Sequence, residues 1–470
     1  MDKVKHIHLI AVCGTGMGSL AGMLKESGYQ VTGSDTDIYP PMSDQLASQG
    51  IEIRSGYKPE NLRDNPDLVI VGNAVPRDNP EVEAMLEKGI KYLSFPQALS
   101  QFFLAGKTPL VIVGTHGKTT TSSLSAWILK SAGRDPGFLI GGVINNFRSS
   151  YRLGNGNCFV VEGDEYDSAF FDKEPKFLHY RPQIAILTSI EFDHADIYRN
   201  LEEIKSSFRK FVDLLPENGL LLACIDDPGV REIADTARCP VQWYGLDPEA
   251  LWRAEEISFA EDGTAFSLHQ GNENLSRIQS PLSGKHNLHN LLGVIGACRS
   301  LGLSLSKIQE GLKGFEGVKR RQEVKGTVNG ITVIDDFAHH PTAVKKTIDA
   351  MKHKYPGRRL WAVFEPRTAS SRRKVFQDQY PDAFLEADRI IIADVYKAEK
   401  IVEEERFSPE LIVRELVSKG KEATHLGKAD DIVSYLTDNL RKEDVVLIMS
   451  NGDFGGIVGK ILKMLPAVNS

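Results

Sequence analysis

Several things are scarce in this chain of 470 residues. Cysteine is one: Cys13, Cys158, Cys224, Cys239 and Cys298 are all there is, far apart and without a Cys-x-x-Cys pair. An odd, scattered set excludes a disulfide framework or a zinc site and points to reduced thiols in the cytoplasm. Long apolar runs are missing too. No stretch approaches the roughly 20 residues of a membrane span, so no membrane partner is expected. Basic blocks are short, the densest being Arg372-Arg373-Lys374, and the net charge is −7. That balance excludes a general nucleic-acid binder and leaves the basic cluster as a solvated face. Low-complexity segments and internal repeats are absent. Met1-Asp2-Lys3-Val4-Lys5 leads into a strand-like run with no signal-peptide cleavage pattern, so the expected location is cytoplasmic. What remains is an ordinary globular composition, 41% apolar and 25% charged, with chain enough for about two to four domains.

The densest chemical signal is Gly114-Thr115-His116-Gly117-Lys118-Thr119-Thr120, led in by Leu110-Val111-Ile112-Val113. An apolar strand stops at glycine, and Gly-Lys-Thr opens a helix expected from Thr119 to about Ala132. Glycines let backbone N–H groups close around phosphate oxygens, and the helix N-terminus adds its positive end. Lys118 then reaches the outer phosphates and the Thr119 hydroxyl can ligate Mg²⁺. Only Thr115 and His116 separate the glycines, so this is a shortened form of the usual phosphate loop. The plainer alternative is a helix cap in a glycine turn. A bound nucleoside triphosphate is the expectation.

Upstream, Ile7 to Val12 reads as a strand, Gly14-Thr15-Gly16-Met17-Gly18 as a glycine turn, Ser19 to Ser27 as a helix, and Tyr29 to Asp35 as a second strand. This is the first half of a dinucleotide-type βαβ unit, with Asp35 about 20 residues past the first glycine, where a ribose contact belongs. Ser19 stands where the third glycine should be, and a turn needed only for helix packing is the alternative. Asp67 to Asn73 is a later strand ending in polar residues. Cys158 to Glu162 and Ile184 to Ser189 are buried strands with acids or a histidine (Glu162, Glu191, Asp193, His194) just beyond them, which suits metal–phosphate chemistry. Trp252 to His269 alternates around a turn, as an antiparallel hairpin does. Ile331 to Ile334, Leu360 to Phe364, Arg389 to Val395 and Val445 to Met449 are further strands, and Pro409 to Lys419 and Ala429 to Arg441 read as surface helices.

Taken together, five spaced motifs resemble the Mur ligase family of ATP-dependent peptidoglycan amide ligases. They are the phosphate loop, Glu162-Gly163-Asp164-Glu165-Tyr166-Asp167, His286-Asn287-Leu288-His289-Asn290, Lys319-Arg320-Arg321 and Asp335-Asp336-Phe337-Ala338-His339-His340-Pro341-Thr342. The resemblance covers residues 6 to about 456. It implies an α/β fold of three domains: a Rossmann-like UDP-sugar-binding domain (1–107), a P-loop ATPase-like central domain (108–324) and a Rossmann-like C-terminal domain (325–470) that brings the amine substrate. ATP and Mg²⁺ are the implied cofactors. UDP-N-acetylmuramate is the implied acid substrate, and a monomer or weak homodimer is expected. Within the family, Ile38 to Ser43, Gly72 to Arg77, Phe170 to Lys173 with His179-Tyr180, Glu191 to Asp196 and Ser450 to Gly456 are similar to the member that adds a whole tripeptide, L-alanyl-γ-D-glutamyl-meso-diaminopimelate, in murein recycling. The alternative member adds L-alanine.

By the same resemblance, Gly114, Thr115, His116, Gly117, Lys118, Thr119 and Thr120 hold the phosphates of ATP. Thr119, Glu162 and His194 are the implied metal ligands, with His194 at a second ion. Lys118, His194 and Arg321 are the implied catalytic residues. His286, Asn287 and Asn290 take adenine, four-residue spacing placing His286 and Asn290 on one helix face, and Arg321 and Asp336 reach γ-phosphate and ribose. Gly14, Thr15, Gly16, Met17, Gly18, Asp35, Asn73 and Arg77 take the UDP-sugar. Arg367 is a candidate clamp for a peptide carboxylate. Each has a plainer alternative: a strand-end ion pair for Glu162, a structural hydrogen bond for His194, helix capping for Asn287, an interdomain salt bridge for Arg321 and Asp336, and a structural ion pair for Arg367. His339 and His340 before Pro341 read as the end of a strand and the start of a helix. Several relatives carry a carbamylated lysine fifteen residues after the metal histidine; that spacing lands on Arg209, flanked by Lys205 and Lys210, so no carbamate is expected. A nicotinamide-dependent dehydrogenase would explain only the first glycine turn, and a silent UDP-sugar sensor would have no need of Lys118 or His194.

Overall fold

The computed structural model describes residues 4–40, 42–195 and 197–467. Pro41 and Asp196, which fall in two of the quoted motifs, lie outside the described residues. The chain divides into two compact units, one formed by 1–190, 205–250 and 293–311 and the other by 191–204, 251–292 and 312–470.

The first unit contains two sheets. Strands β1 (His6–Ile10), β2 (Gln30–Asp35), β3 (Glu52–Ser55), β4 (Leu68–Val71) and β5 (Tyr92–Ser94) form a wholly parallel sheet in the order β3-β2-β1-β4-β5. The order reverses beside β1, which opens a crevice beyond the C-terminal ends of β1 and β4. Helix α1 (Thr15–Glu26) begins earlier than the expected Ser19. Gly14 is extended and serves as N-cap, so Thr15 to Gly18 are the first helical turn and not a free loop. Ser19 replaces the third glycine without penalty because its hydroxyl bonds Thr15 O at 2.8 Å and Ser150 Oγ at 2.9 Å.

The second sheet of this unit runs β14 (Val241–Gly245), β13 (Leu220–Cys224), β12 (Ile184–Leu187), β6 (Thr108–Val113), β9 (Cys158–Glu162), β7 (Gly137–Ile144), β8 (Ser149–Arg152), with β10 (Asp167–Ala169) and β11 (Asp172–Pro175) as a separate hairpin. Within the sheet all pairs are parallel except β7 with β8. β6, β9 and β12 are apolar and buried on both faces, as parallel strands covered by helices must be. Helix α2 (Lys118–Ser131) follows β6 after a four-residue loop.

The second unit holds an antiparallel sheet of β15 (Trp252–Ala260), β16 (Gly263–Gln270) and β17 (Glu273–Ser280). Its main sheet is β18 (Glu323–Val328), β19 (Ile331–Asp336), β23 (Val445–Met449), β20 (Leu360–Phe364), β21 (Arg389–Ile392) and β22 (Glu422–His425) in that order, parallel apart from β18. Apolar clusters cover both faces of it, Ile348, Phe364, Tyr380 and Leu447 on one and Trp361, Ile391, Val446 and Ile457 on the other. β18 and β22 are half-exposed edge strands, and their mixed polarity left them unrecognised in the sequence. Helices α3 (Lys285–Ser300) and α4 (Pro341–Lys354) start where the His-Asn and His-His-Pro motifs stand. Among the described residues no helix is long and apolar enough to cross a membrane.

Candidate active site

In the first unit the phosphate loop is shaped by what lies behind it. Gly114 has φ +129°, and a Cβ there would fall 2.2 Å from Thr188 Oγ1. Gly117 caps α2 at φ +84°. Both positions therefore require glycine. The residues after β12 pin the loop: Thr115 N–H donates to Ser189 O at 2.8 Å, His116 N–H to Ser189 Oγ at 3.0 Å, and Thr188 Oγ1 to His116 O at 2.6 Å.

Register in the sheet sets Glu162 beside Ile112, one strand over from the loop. Its Oε1 accepts from Thr119 Oγ1 at 2.9 Å and its Oε2 from Gly141 N–H at 2.8 Å. A hydroxyl and a carboxylate side by side at a helix N-terminus are the hard oxygen donors that suit Mg²⁺. Lys118 Nζ donates to Gly114 O at 2.6 Å and to Glu165 Oε2 at 2.9 Å. Burial works against its charge, yet Glu165, Asp164 and Glu162 outweigh it and hold the ammonium above its ordinary range. Glu165, 2% exposed, stands in the Glu162–Asp167 motif, where no spacing rule assigns it a partner.

The amino-terminal crevice qualifies the UDP-sugar set. Gly14 and Thr15 are exposed and Gly16 half-buried, with Asn73 and Arg77 exposed across the turn after β4. Met17 and Gly18 are buried; a Cβ on Gly18 would meet Met42 Sδ at 2.2 Å, so Gly18 serves packing. Asp35 is not a bare strand-end acid. Its carboxylate accepts from the N–H groups of Cys13 (2.8 Å), Thr36 (2.7 Å) and Asp37 (3.1 Å), tying the loop after β1 to the end of β2. Met17, Gly18 and Asp35 thus also hold this loop.

Behind the crevice lies a polar network without a sequence signal. Glu81, fully buried, accepts from His8 Nε2 (2.6 Å) and Ser34 Oγ (2.9 Å) on one oxygen and from Asn61 Nδ2 (2.8 Å) on the other.

In the second unit, Asp193 is buried beside His194, whose φ is +54°, an uncommon value for a non-glycine residue. Asp193 accepts from His194 N–H at 2.7 Å and Ser370 Oγ at 3.1 Å, and lies 3.9 Å from His339. Burial raises this carboxyl, but the imidazoles of His194, His339 and His340 prevail and hold it well below the usual range. His340 is a structural cap: its Nδ1 accepts Thr342 N–H at 3.3 Å, and its Nε2 lies 3.2 Å from Phe192 O.

The His-Asn motif gathers around Gln322 within the same unit. His286 Nε2 lies 3.2 Å from Gln322 Nε2, Asn290 Nδ2 donates to Asn287 Oδ1 at 3.3 Å, and Asn287 Nδ2 reaches Ser283 O at 2.9 Å. Asn287 is inside α3, so it is not the helix cap. Asp336 accepts from Gln322 N–H and Ala338 N–H, each at 2.7 Å, and burial pushes its carboxyl up. Arg321 lies over the Phe337 ring at 4.5 Å.

At the C-terminal ends of β20, β21 and β23, Arg367 lies over the Tyr396 ring, its guanidinium carbon 3.7 Å from the ring centroid. Glu365 Oε2 is 3.4 Å from Arg367 Nη1 but receives its short bond, 2.6 Å, from Ser450 Oγ. Arg209, where a carbamylated lysine would fall, pairs with Glu232 at 2.5 Å in the first unit; Lys205 bonds the same carboxylate and Lys210 bonds Glu174 at 2.9 Å.

Three family models tile this architecture: the Mur ligase family catalytic domain over residues 6–107, the Mur ligase middle domain over 112–298, and the Mur ligase glutamate ligase domain over 320–452. The chain belongs to the Mur ligase family. Among Mur ligases it is 41% identical, over 98% of its length and 99% of the relative's, to the UDP-N-acetylmuramate--L-alanyl-gamma-D-glutamyl-meso-2,6-diaminoheptandioate ligase of Haemophilus influenzae. It is 37% identical, over 96% of its length and 94% of the relative's, to the UDP-N-acetylmuramate--L-alanine ligase of Acetivibrio thermocellus. The crystal structure of a murein peptide ligase from Psychrobacter arcticus 273-4 superposes with a TM-score of 0.72 at 37% identity, covering 99% of this chain and all of that one. The three-domain α/β architecture expected from the motifs is therefore that of the Mur ligases.

Proposed function

We propose that this ligase joins UDP-N-acetylmuramate to L-alanyl-γ-D-glutamyl-meso-diaminopimelate in an ATP-dependent, ADP-forming reaction. The family supplies the ligase class; the observation that carries the finer reading is the 41% identity, along the whole chain, to a relative named for that reaction. The reaction is an amide condensation, unfavourable unless the carboxylate is activated. The muramate lactyl carboxylate oxygen attacks the γ-phosphorus, ADP leaves, and an acyl phosphate forms. The free amine of the peptide then attacks the acyl carbon, inorganic phosphate leaves, and the amine gives up a proton.

Both steps place negative charge close to negative charge, so fixed cations and backbone donors are what the protein must supply. In this reading the N–H groups from Gly114 to Thr120 surround the phosphates, and Lys118 meets the β- and γ-oxygens. That requires it to exchange part of its bonding to Gly114 O and Glu165 for phosphate oxygen. Thr119 and Glu162 would hold Mg²⁺, and His194 would ligate a second ion; bound there, the ions screen carboxylate–phosphate repulsion. Arg321 stabilises the γ-phosphate, Asp336 faces ribose, and His286, Asn287 and Asn290 present a mixed donor and acceptor edge to adenine. Gly14, Thr15, Gly16, Met17, Gly18, Asp35, Asn73 and Arg77 form the UDP-sugar site, Gly14, Thr15, Asn73 and Arg77 being its exposed members. Arg367 takes a peptide carboxylate. We place the domain boundaries at 107/108 and 324/325 and the reaction in the cytoplasm.

A second reading is supported by the 37% identity to an L-alanine ligase. Phosphate release in the presence of ATP, Mg²⁺ and UDP-N-acetylmuramate separates them. Release with tripeptide and not with L-alanine is the expected outcome. Release with L-alanine alone overturns the proposal.

A further inference from the structure

The fork of Arg367 is held in a way its sequence neighbourhood does not announce. Its own turn is fixed from within: Arg367 N–H and Thr368 N–H both donate to Ser371 Oγ, at 3.1 and 2.9 Å. Tyr396, on the segment after β21, is tied to that turn through its backbone, its N–H donating to Pro366 O at 3.0 Å and its carbonyl accepting from Arg372 Nη1 at 3.3 Å. The ring is thereby set under the guanidinium at 3.7 Å. On another side lies Gly452, where a Cβ would fall 2.0 Å from Arg367 Nε and 2.1 Å from Cζ. The Gly452 backbone is fixed in turn, its N–H donating to Ser450 Oγ at 3.0 Å and its carbonyl accepting from Arg320 Nη2 at 2.7 Å.

Among the described residues the guanidinium has one hydrogen-bond partner, Glu365 at 3.4 Å, so most of its N–H groups have no protein acceptor. A planar fork, stacked on one face, confined by a glycine and largely unsatisfied at its edge, has the form needed for bidentate capture of a carboxylate. Long side chains ordinarily lose conformational freedom on binding; here the stack with Tyr396 removes that freedom beforehand.

We propose that Tyr396 is a positioning residue: it presents Arg367, with Gly452 leaving room beside it, so that the enzyme selects an amine substrate bearing a free carboxylate. This rests on the reading of Arg367 as the peptide clamp. The Tyr396 hydroxyl has no hydrogen-bond partner among the described residues, so the ring face does the positioning.

The test compares kcat and KM for the tripeptide with those for three analogues, each amidated at one of its free carboxylates (the D-glutamyl α-carboxylate and the two of diaminopimelate), using the full-length enzyme. The wild type is expected to prefer the acid over one of these amides by roughly 30-fold in kcat/KM, the scale of one charge-assisted pair. Arg367→Met should reduce that preference to near unity. Tyr396→Leu should cut it about tenfold, through KM for the acid, with KM for ATP unchanged. Tyr396→Phe should keep it, and Gly452→Ala should reproduce the loss from the other side. An unchanged preference in Y396L, an equal loss in Y396F, or an unchanged preference in G452A overturns the inference while leaving the clamp intact. An unchanged preference in R367M overturns the clamp itself.

Discussion

Replacing Glu81 by alanine tests how the amino-terminal crevice is held. The carboxylate is fully buried and receives three side-chain donors, His8 at 2.6 Å, Ser34 at 2.9 Å and Asn61 at 2.8 Å. His8 and Ser34 are themselves wholly buried on β1 and β2. Removing the acceptor strands three donors in a dry site, each costing about 1–3 kcal/mol, part of it recovered by relaxation or by water entering the gap. A net loss of about 4 kcal/mol follows, the size found when one partner of a buried pair is deleted. In a multidomain chain a single melting temperature is not the right readout. Amide hydrogen exchange resolved by peptide is, because β1 and β2 report on this sheet alone. Four kcal/mol is close to a thousandfold rise in the local opening constant at about 1.4 kcal/mol per decade. Glu81→Gln should cost roughly half as much, since its amide N–H₂ would face that of Asn61. A change below tenfold in β1 and β2, or one equally large in β6 and β9, would refute the reasoning.

Other consequences are sharper on the chemistry. Lys118→Met should lower phosphate release by about 10²–10³-fold and also destabilise, because the buried Glu165 carboxylate loses the ammonium that offsets its charge; adding Glu165→Gln should restore stability without turnover. Burial, reinforced by Asp35, pushes the Cys13 thiol up to about 11, so its alkylation rate should climb about tenfold per pH unit from pH 7 to 10, and UDP-N-acetylmuramate should protect it. Burial, with Glu323 and Asp336 nearby, raises Asp335 to about 6 against the pull of Arg320, from an ordinary 3.8. A raised acid stabilises the fold in its protonated form, so that contribution is complete below about pH 4 and lost as pH rises through 6. Asp335→Asn should flatten the denaturant midpoint across that window. With Arg209 and both flanking lysines engaged by carboxylates, activity should not change when bicarbonate is removed, and a carbamate adduct at Lys205 or Lys210 would contradict this.

The sequence alone determined those features whose cause is local. A run of apolar β-formers ending at a glycine specifies a buried parallel strand and the loop after it, so Leu110 to Thr120 could be read as strand, loop and helix start. His340-Pro341 announces a helix start for the same reason: proline suits the first turn and the preceding side chain caps it. The order of five motifs sufficed for the family and the three-domain architecture. What only the tertiary structure decided are relations between residues far apart in the chain, where no spacing rule operates. Asp35 matched a ribose-contact spacing, but the fold gives its carboxylate three backbone donors. Gly18 stands in the glycine turn by its sequence, and the fold packs it against Met42 inside the first turn of helix α1. The Glu81 network, the Lys118–Glu165 pair and the stack of Arg367 on Tyr396 join residues brought together only when separate strands align in a sheet. Periodicity records which side of an element is buried; it carries no record of which polar groups meet there.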